Sequence, residues 1–307
     1  MELVAPGSGL MRDSRDEKIK PVGKGDIAVV GVPWDWNVTG PPGSRLAPRS
    51  IREKLYSFSR YSPLLNSNLD SAIVDLGDVR IAPRDWSVTR LRILSVAKNA
   101  YERYKLTLFI GGDHSITEPL VEALIGEDNK VGILMLDAHY DLRSVDEGAT
   151  SGDWLWKLSE KFKDRIYATI IGIADYANPI YLQKRAEKLG YTVIDRMTLW
   201  RSPEKGLEAV DKLVEASMDY YYITIDIDHL DQAYAPGTGA PTPIGMRPEE
   251  SLEIINYAAQ RIKPKGMDIV EVNPLLDINN LTSKLAAKLA LIAIHSLLIT
   301  MKFGYTI

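Results

Sequence analysis

The sequence predicts an α/β fold, a three-layer αβα arrangement around a mainly parallel, eight-stranded sheet. Short apolar runs rich in β-branched residues recur along the 307 residues. They lack the strict alternation of a strand with one wet face, so both faces are expected to be buried. Stretches of helical periodicity lie between them, and strand–helix alternation over a whole chain indicates a parallel α/β architecture. Eight strands also fit a closed barrel, which periodicity does not distinguish; the open sheet is the preferred reading.

The elements follow in order. A polar arm reaches to about residue 24, and one domain spans 25–307. Strands are expected at 27–32, 72–76, 107–110, 131–136, 167–173, 192–194, 221–227 and 267–272. Helices are expected at 88–104, 118–124, 179–189, 203–216, 248–260 and 281–298. Pro203 and Pro248 stand where a helix can begin, because the missing N–H of proline is no loss in a first turn. No internal repeat or long linker interrupts the series.

Composition removes several function classes. The formal net charge is −4 and charged residues make up 25%, so no basic face for nucleic acid or membrane is expected. There is no cysteine, which excludes disulfides, thiolate nucleophiles and zinc–sulfur sites. The N-terminus lacks the apolar core of a signal peptide. The longest apolar run, near 289–298, contains His295 and is too short to span a bilayer. A cytoplasmic protein is the expectation.

Three expected strands end in potential metal ligands. One runs into Gly111-Gly112-Asp113-His114, one into Asp137-Ala138-His139-Tyr140-Asp141, and one into Asp226-Ile227-Asp228. In an open parallel sheet, functional residues gather at the carboxyl ends of strands. If the chain stays extended, Asp137, His139 and Asp141 point to one side, as do Asp226 and Asp228. Each motif alone reads equally well as a helix cap or a loop hydrogen-bonder. Together, the four aspartates carry a formal −4, which two divalent cations balance, with His114 and His139 as neutral ligands. Imidazole mixed with carboxylate suits Mn, Fe, Co, Ni or Zn better than Ca or Mg. Such a pair of ions activates a water for hydrolysis.

These residues resemble the ureohydrolase family, which includes arginase, agmatinase, formimidoylglutamase and guanidino-acid hydrolases. Its signatures look like Gly111-Gly112-Asp113-His114-Ser115, Asp137-Ala138-His139-Tyr140-Asp141 and the segment 226–245. Gly31-Val32-Pro33, Asp75-Leu76-Gly77-Asp78 and the segments 42–45, 47–52 and 268–274 also match, so the likeness covers nearly everything after the arm. The resemblance implies an arginase/deacetylase-like domain, two Mn2+ ions, and a homotrimer or homohexamer. It implies His114, Asp137, His139, Asp141, Asp226 and Asp228 as ligands, and Asp141 also as the acceptor of a proton from the attacking water. It implies that Glu271 orients the substrate guanidinium; the plainer reading of Glu271 is a buried acid paired with an arginine.

The family's substrate loop is altered. The Ser/Asn-rich loop of arginase is replaced by Asp146-Glu147-Gly148-Ala149-Thr150-Ser151-Gly152-Asp153-Trp154. Glu147-Gly148 and the following Ser151 resemble agmatinase, so the expected reaction is cleavage of agmatine to putrescine and urea, with Ser151 at the substrate. The alternatives are guanidinobutyrate, arginine or formimidoylglutamate, or a metal-binding protein without activity. The last arises because the proton-shuttle histidine of the agmatinase pattern is missing at Ser151-Gly152. His229, His295 and Asp153 are the candidates for its role. Trp154 and Trp156 read either as a cover of the pocket mouth or as core.

Overall fold

The computed structural model describes residues 18–70, 73–144 and 149–303. Its strands are β1 (Ile27–Gly31), β2 (Tyr61–Ser62), β3 (Ser67–Asn68), β4 (Ile73–Asp78), β5 (Leu106–Ile110), β6 (Val131–Leu136), β7 (Ile166–Ile173), β8 (Thr192–Asp195), β9 (Tyr220–Asp226) and β10 (Gly266–Val270). Its helices are α1 (Ala47–Leu55), α2 (Trp86–Arg103), α3 (Thr117–Ile125), α4 (Trp154–Phe162), α5 (Ile180–Lys188), α6 (Arg196–Arg201), α7 (Glu204–Glu215), α8 (Pro248–Ile262) and α9 (Leu281–Phe303). Eight strands form one sheet in the order β4-β1-β5-β10-β9-β6-β7-β8. Every neighbouring pair in it is parallel. The edge strands β4 and β8 do not pair, so the sheet is open and the barrel reading falls.

Burial of both faces explains the missing alternation. In β6, Val131, Ile133 and Met135 enter the core beneath α2, α3, α4 and α5. Leu134 and Leu136 enter the opposite core beneath α1, α7, α8 and α9. Neighbouring residues of a strand point to opposite faces, so a strand covered on both sides must be apolar throughout. Helix α9 is long and apolar enough to cross a membrane by length and composition, but 61% of its most apolar window is buried within the protein. Its Ala286, Ala287, Ala290 and Ala293 are fully buried, as in a core helix.

Three helices go unmarked by the sequence pattern. α6 has 6 residues, too few turns for periodicity to register; α1 and α4 have 9 each, as do α3 and α5, which the pattern does mark, so length alone does not account for those two. The short antiparallel pair β2–β3 is also unexpected. The described end of the arm lies against the domain: the Ile19 N–H donates to the Phe58 carbonyl at 3.1 Å and Val22 to Ile73 at 2.9 Å. Three expected strand ends are too long, β1 by one residue since it ends at Gly31. β9 stops at Asp226 because residues 227–229 form a 3-10 turn. β10 stops at Val270 because Glu271 has φ +61°, a left-handed conformation no strand continues through.

Candidate metal centre

The four strands that carry the candidate residues are adjacent. β5, β10, β9 and β6 are consecutive in the sheet, and their carboxyl ends deliver His114, Glu271, the Asp226/Asp228 pair and the 137–141 segment to one cleft. Gly112 makes the exit from β5 possible. A Cβ there would fall 1.6 Å from the Trp34 carbonyl oxygen, so only glycine lets the two backbones pass. Asp113 then caps the 3-10 turn of His114–Ile116, accepting from the Ser115 N–H at 3.0 Å and the Asn37 N–H at 2.9 Å.

The ligands converge by turns, which corrects the expectation of an extended chain. The His139 N–H donates to Asp137 Oδ1 at 2.7 Å, and Asp141 has φ +49°. The Asp228 N–H donates to Asp226 Oδ1 at 2.9 Å, closing the 3-10 turn. The side chains therefore meet because short carboxylates bond the backbone two residues on, a habit of aspartate at turns.

Two donor sets overlap at Asp137. His114 Nδ1 lies 3.1 Å from Asp137 Oδ2, 3.0 Å from Asp141 Oδ2 and 3.2 Å from Asp226 Oδ2. His139 Nδ1 lies 3.0 Å from Asp228 Oδ2 and 3.5 Å from Asp137 Oδ1. Within the sets His114/Asp137/Asp141 and Asp137/His139/Asp228, the donor atoms all lie within 4.8 Å of one another. Asp137 thus turns one oxygen to each set. All six residues are buried except His139, whose side chain is 27% exposed.

The electrostatics reflect crowded negative charge. Burial, then Asp141 and Asp228, push the Asp137 carboxyl up to about 6. Burial, then Asp228 and Asp137, hold Asp226 well above its ordinary range. Asp228 pushes His139 up to about 12 against the opposing effect of burial. Burial favours a neutral His114, but Asp137, Asp141 and Asp226 outweigh it and raise its pKa. Asp228 goes the other way: burial raises it, but His139 outweighs burial and holds it below the usual carboxylate range. The raised Asp137, Asp226, His114 and His139 mark a site short of positive charge.

The hydrogen bonds behind His114 show what kind of cation fits. Buried Asp268 can only accept, and takes hydrogen bonds from Thr224 Oγ1 at 2.6 Å, Thr117 Oγ1 at 2.7 Å and the Tyr222 hydroxyl at 2.8 Å. The Thr224 hydroxyl, having donated its proton there, accepts from His114 Nε2 at 2.8 Å. In the neutral ring the Nδ1 lone pair then faces three carboxylates. His114 Nδ1 and Asp137 Oδ2 are buried without a hydrogen-bond partner. Such a fixed tautomer behind a ligand nitrogen is the usual support of a metal site, and the nitrogen–oxygen donor set fits two divalent ions.

Two further residues fix the cluster. Trp154 Nε1 donates to Asp141 Oδ2 at 2.7 Å, and the side chain is fully buried, so Trp154 lies in the core and does not cover the mouth. Trp156 packs under the Arg185 guanidinium, 4.1 Å from its ring. Glu271 lines the cleft and accepts from the His114 N–H at 2.8 Å. Burial, then Asp113, hold its carboxyl well above the usual range. No lysine or arginine pairs with Glu271 among the described residues, so the arginine-paired reading does not apply.

The loop residues divide. Ser151 lines the cleft, its N–H bound to the Asn37 carbonyl at 2.8 Å. Glu147 and Gly148 lie outside the described residues. None of the three shuttle candidates lines the cleft. Asp153 closes a capping box with Thr150 and pairs with Lys157 at 2.7 Å. His229 is fully buried, with Nε2 on Ser251 Oγ at 2.8 Å and Nδ1 on the Asp226 carbonyl. His295 contacts Ser67 Oγ at 2.7 Å beside a different cavity. Sequence reasoning missed Arg143 and Asn178, which line the cleft together with Thr238 of the 226–245 segment.

Comparison with known proteins shows the family. A family model described as the Arginase family matches residues 25–295. The chain is 33% identical over 277 residues to a formimidoylglutamase of Halalkalibacterium halodurans, covering 86% of this chain and 85% of the relative. It is 32% identical to the mitochondrial guanidino acid hydrolase of Homo sapiens, covering 86% and 76%, and 33% identical to the mitochondrial agmatinase of Gallus gallus, covering 86% and 78%. The crystal structure of formimidoylglutamase from Bacillus subtilis superposes with a TM-score of 0.87 at 26% identity, covering 96% of both chains.

Proposed function

This chain belongs to the arginase family of guanidino C–N hydrolases, and on that premise we propose that His114, Asp137, His139, Asp141, Asp226 and Asp228 hold two divalent ions, Mn2+ first among them. The substrate is a linear guanidine or amidine, and its C–N bond is hydrolysed. The observation that carries this reading is Glu271, a buried carboxylate with no cationic partner among the described residues, in the same cleft as the donor cluster. A carboxylate that only accepts hydrogen bonds suits a planar cation with several N–H donors.

When bound, the ions supply Lewis acidity and a water of lowered pKa. The chain's own residues do the rest. Glu271 binds the amidinium group and sets its face toward the cluster. Its left-handed backbone, φ +61°, is the kind of conformation that persists where a side chain must be aimed. Trp154 holds Asp141 Oδ2, leaving Oδ1 to take a proton from the attacking water. The leaving amine needs a proton, and the one gained by Asp141 is the nearest supply, since no histidine outside the donor cluster lines the cleft among the described residues.

Agmatine, split to putrescine and urea, is the substrate to which the loop resemblance points. The names of the relatives add formimidoylglutamate and guanidino acids. A homotrimer or homohexamer in the cytoplasm accompanies this reading, the size to be read by light scattering. The test is product release by Mn2+-loaded protein: urea from agmatine, arginine and 4-guanidinobutyrate, and formamide from N-formimidoyl-L-glutamate. No product from any of the four defeats the hydrolase reading. Fewer than two bound ions per chain defeats the assignment of the cluster.

A further inference from the structure

The cleft has two electrical ends. Its inner surface carries Asp141, Asp226, Asp228 and Glu271, whereas Arg143 is the only lysine or arginine lining it among the described residues. Resting on the hydrolase reading above, we propose that Arg143 binds a substrate carboxylate and makes the protein select a formimino or guanidino acid over agmatine.

The Arg143 guanidinium makes no hydrogen bond or ion pair with any described residue. The half-buried arginines Arg45, Arg52 and Arg90 are by contrast anchored, on Asp35 at 2.7 Å, on Asp75 at 3.0 Å and on Glu118 and Glu122. Toward the described residues Arg143 thus keeps its full set of five N–H donors, in the fork geometry that matches a carboxylate. Its stem is nevertheless positioned. The Arg143 N–H donates to the Gly152 carbonyl at 3.0 Å. A Cβ on Gly152 would lie 3.0 Å from Arg143 Cδ, 3.2 Å from Nε and 3.7 Å from Asp141 Oδ1. The side chain therefore crosses the bare face of Gly152, beside the Asp141 carboxylate, and the Ser151-Gly152 sequence in the altered loop is what gives it room.

A substrate must match this polarity. A formimino or guanidino acid carries a cation at the reacting end and a carboxylate elsewhere, so one group meets Glu271 and the other Arg143. Agmatine carries a cation at each end, and its ammonium group would face the like charge of Arg143. Asn178 Oδ1 and Thr238 Oγ1 line the same cleft, buried and without partners, and complete a polar surface around the substrate.

The test compares Mn2+-loaded wild type, Arg143→Gln and Arg143→Lys. Steady-state kinetics on N-formimidoyl-L-glutamate, 4-guanidinobutyrate and agmatine are paired with calorimetric binding of 4-guanidinobutyrate. Wild type is expected to prefer one of the acids to agmatine. Arg143→Gln is expected to lower kcat/KM for that acid about 10- to 100-fold, the scale of one lost charge-assisted pair. The loss falls mainly on KM, because the carboxylate is held alike in ground and transition states. Agmatine turnover rises in the same variant, and Arg143→Lys is intermediate for the acids. A wild type faster on agmatine than on both acids overturns the proposal, as does an equal loss on all three substrates. If nothing is turned over, the hydrolase reading fails by itself and calorimetry still decides: about tenfold weaker binding to Arg143→Gln supports the assignment, and equal or absent binding overturns it.

Discussion

Trp154 Nε1 donates a 2.7 Å hydrogen bond to Asp141 Oδ2, the same oxygen that lies 3.0 Å from His114 Nδ1. The indole fixes the rotation of a carboxylate that would otherwise turn freely about its last bond. Trp154→Phe removes this donor while keeping most of the buried ring. We expect Mn2+ affinity to fall about 10- to 100-fold, as for other partners of metal ligands. Calorimetric titration checks it, and unchanged affinity would show that Asp141 needs no such support.

Thr224 relays Asp268 to His114. Thr224→Val breaks both hydrogen bonds at once and leaves Asp268 with two of its three hydroxyl donors. The expected cost is about 1–3 kcal/mol for groups buried without a partner, together with weaker binding of one of the two ions. Denaturant melts of the metal-free protein and Mn2+ stoichiometry separate the two effects. A variant with full stability but a single bound ion would assign the relay wholly to the metal.

Charge crowding predicts an unusual sign. Asp226→Asn keeps the Oδ1 that accepts from the Asp228 N–H and removes one buried negative charge. In the presence of chelator, its melting temperature should exceed that of wild type, because burial, and then the like charges of Asp228 and Asp137, penalise the charged carboxylate. Added Mn2+ should then stabilise wild type, by about 2.7 kcal/mol at a hundredfold excess over Kd, and stabilise the variant less. A variant that melts lower than wild type without metal contradicts the crowding.

His295 gives a pH dependence remote from the cluster. Burial lowers its pKa below 6.5, against the weaker opposing effects of Asn68 and Asp70. Between its folded value and 6.5 the unfolded chain binds more protons, so stability rises with pH through that window and falls on acidification. His295→Gln should lose less stability than wild type as pH drops from about 7 toward 5, both measured with chelator. Parallel pH profiles would remove His295 as a source of acid sensitivity.

Gly112→Ala tests the backbone crossing beneath Trp34. The added methyl meets the Trp34 carbonyl, not a flexible side chain, so relief requires movement of a strand end. Destabilisation by more than about 3 kcal/mol is expected, visible as a lowered urea midpoint. A change under about 1 kcal/mol would mean that β5 can shift at little cost.

Much of the site was legible because the ligands stand at strand ends, where a run of buried apolar residues stops at a polar cluster. Val131 to Leu136 followed by Asp137 is such a place. The path that brings the ligands together was not legible, because the turn at Asp141 depends on a left-handed residue that no spacing rule marks. Thr224 reads as an ordinary strand residue until the register places it opposite Asp268. Arg143, two residues after the candidate ligand Asp141, reads as surface charge until the cleft beside Gly152 exists. An open sheet and a barrel share the same run of buried strands, and only the unpaired edges β4 and β8 tell them apart.

The strand order has a consequence for synthesis on the ribosome. β5 and β6 follow each other in the chain, yet β10 and β9 lie between them in the sheet. A nascent chain that has emerged through Asp141 already holds four of the six candidate ligands, but the strands that set their spacing have not been made. Both histidines wait for the last third of the polypeptide, so if the cluster binds two ions as proposed, tight metal capture is expected only once the sheet is complete, and a truncated product lacking β9 and β10 is expected to leave the ions in solution.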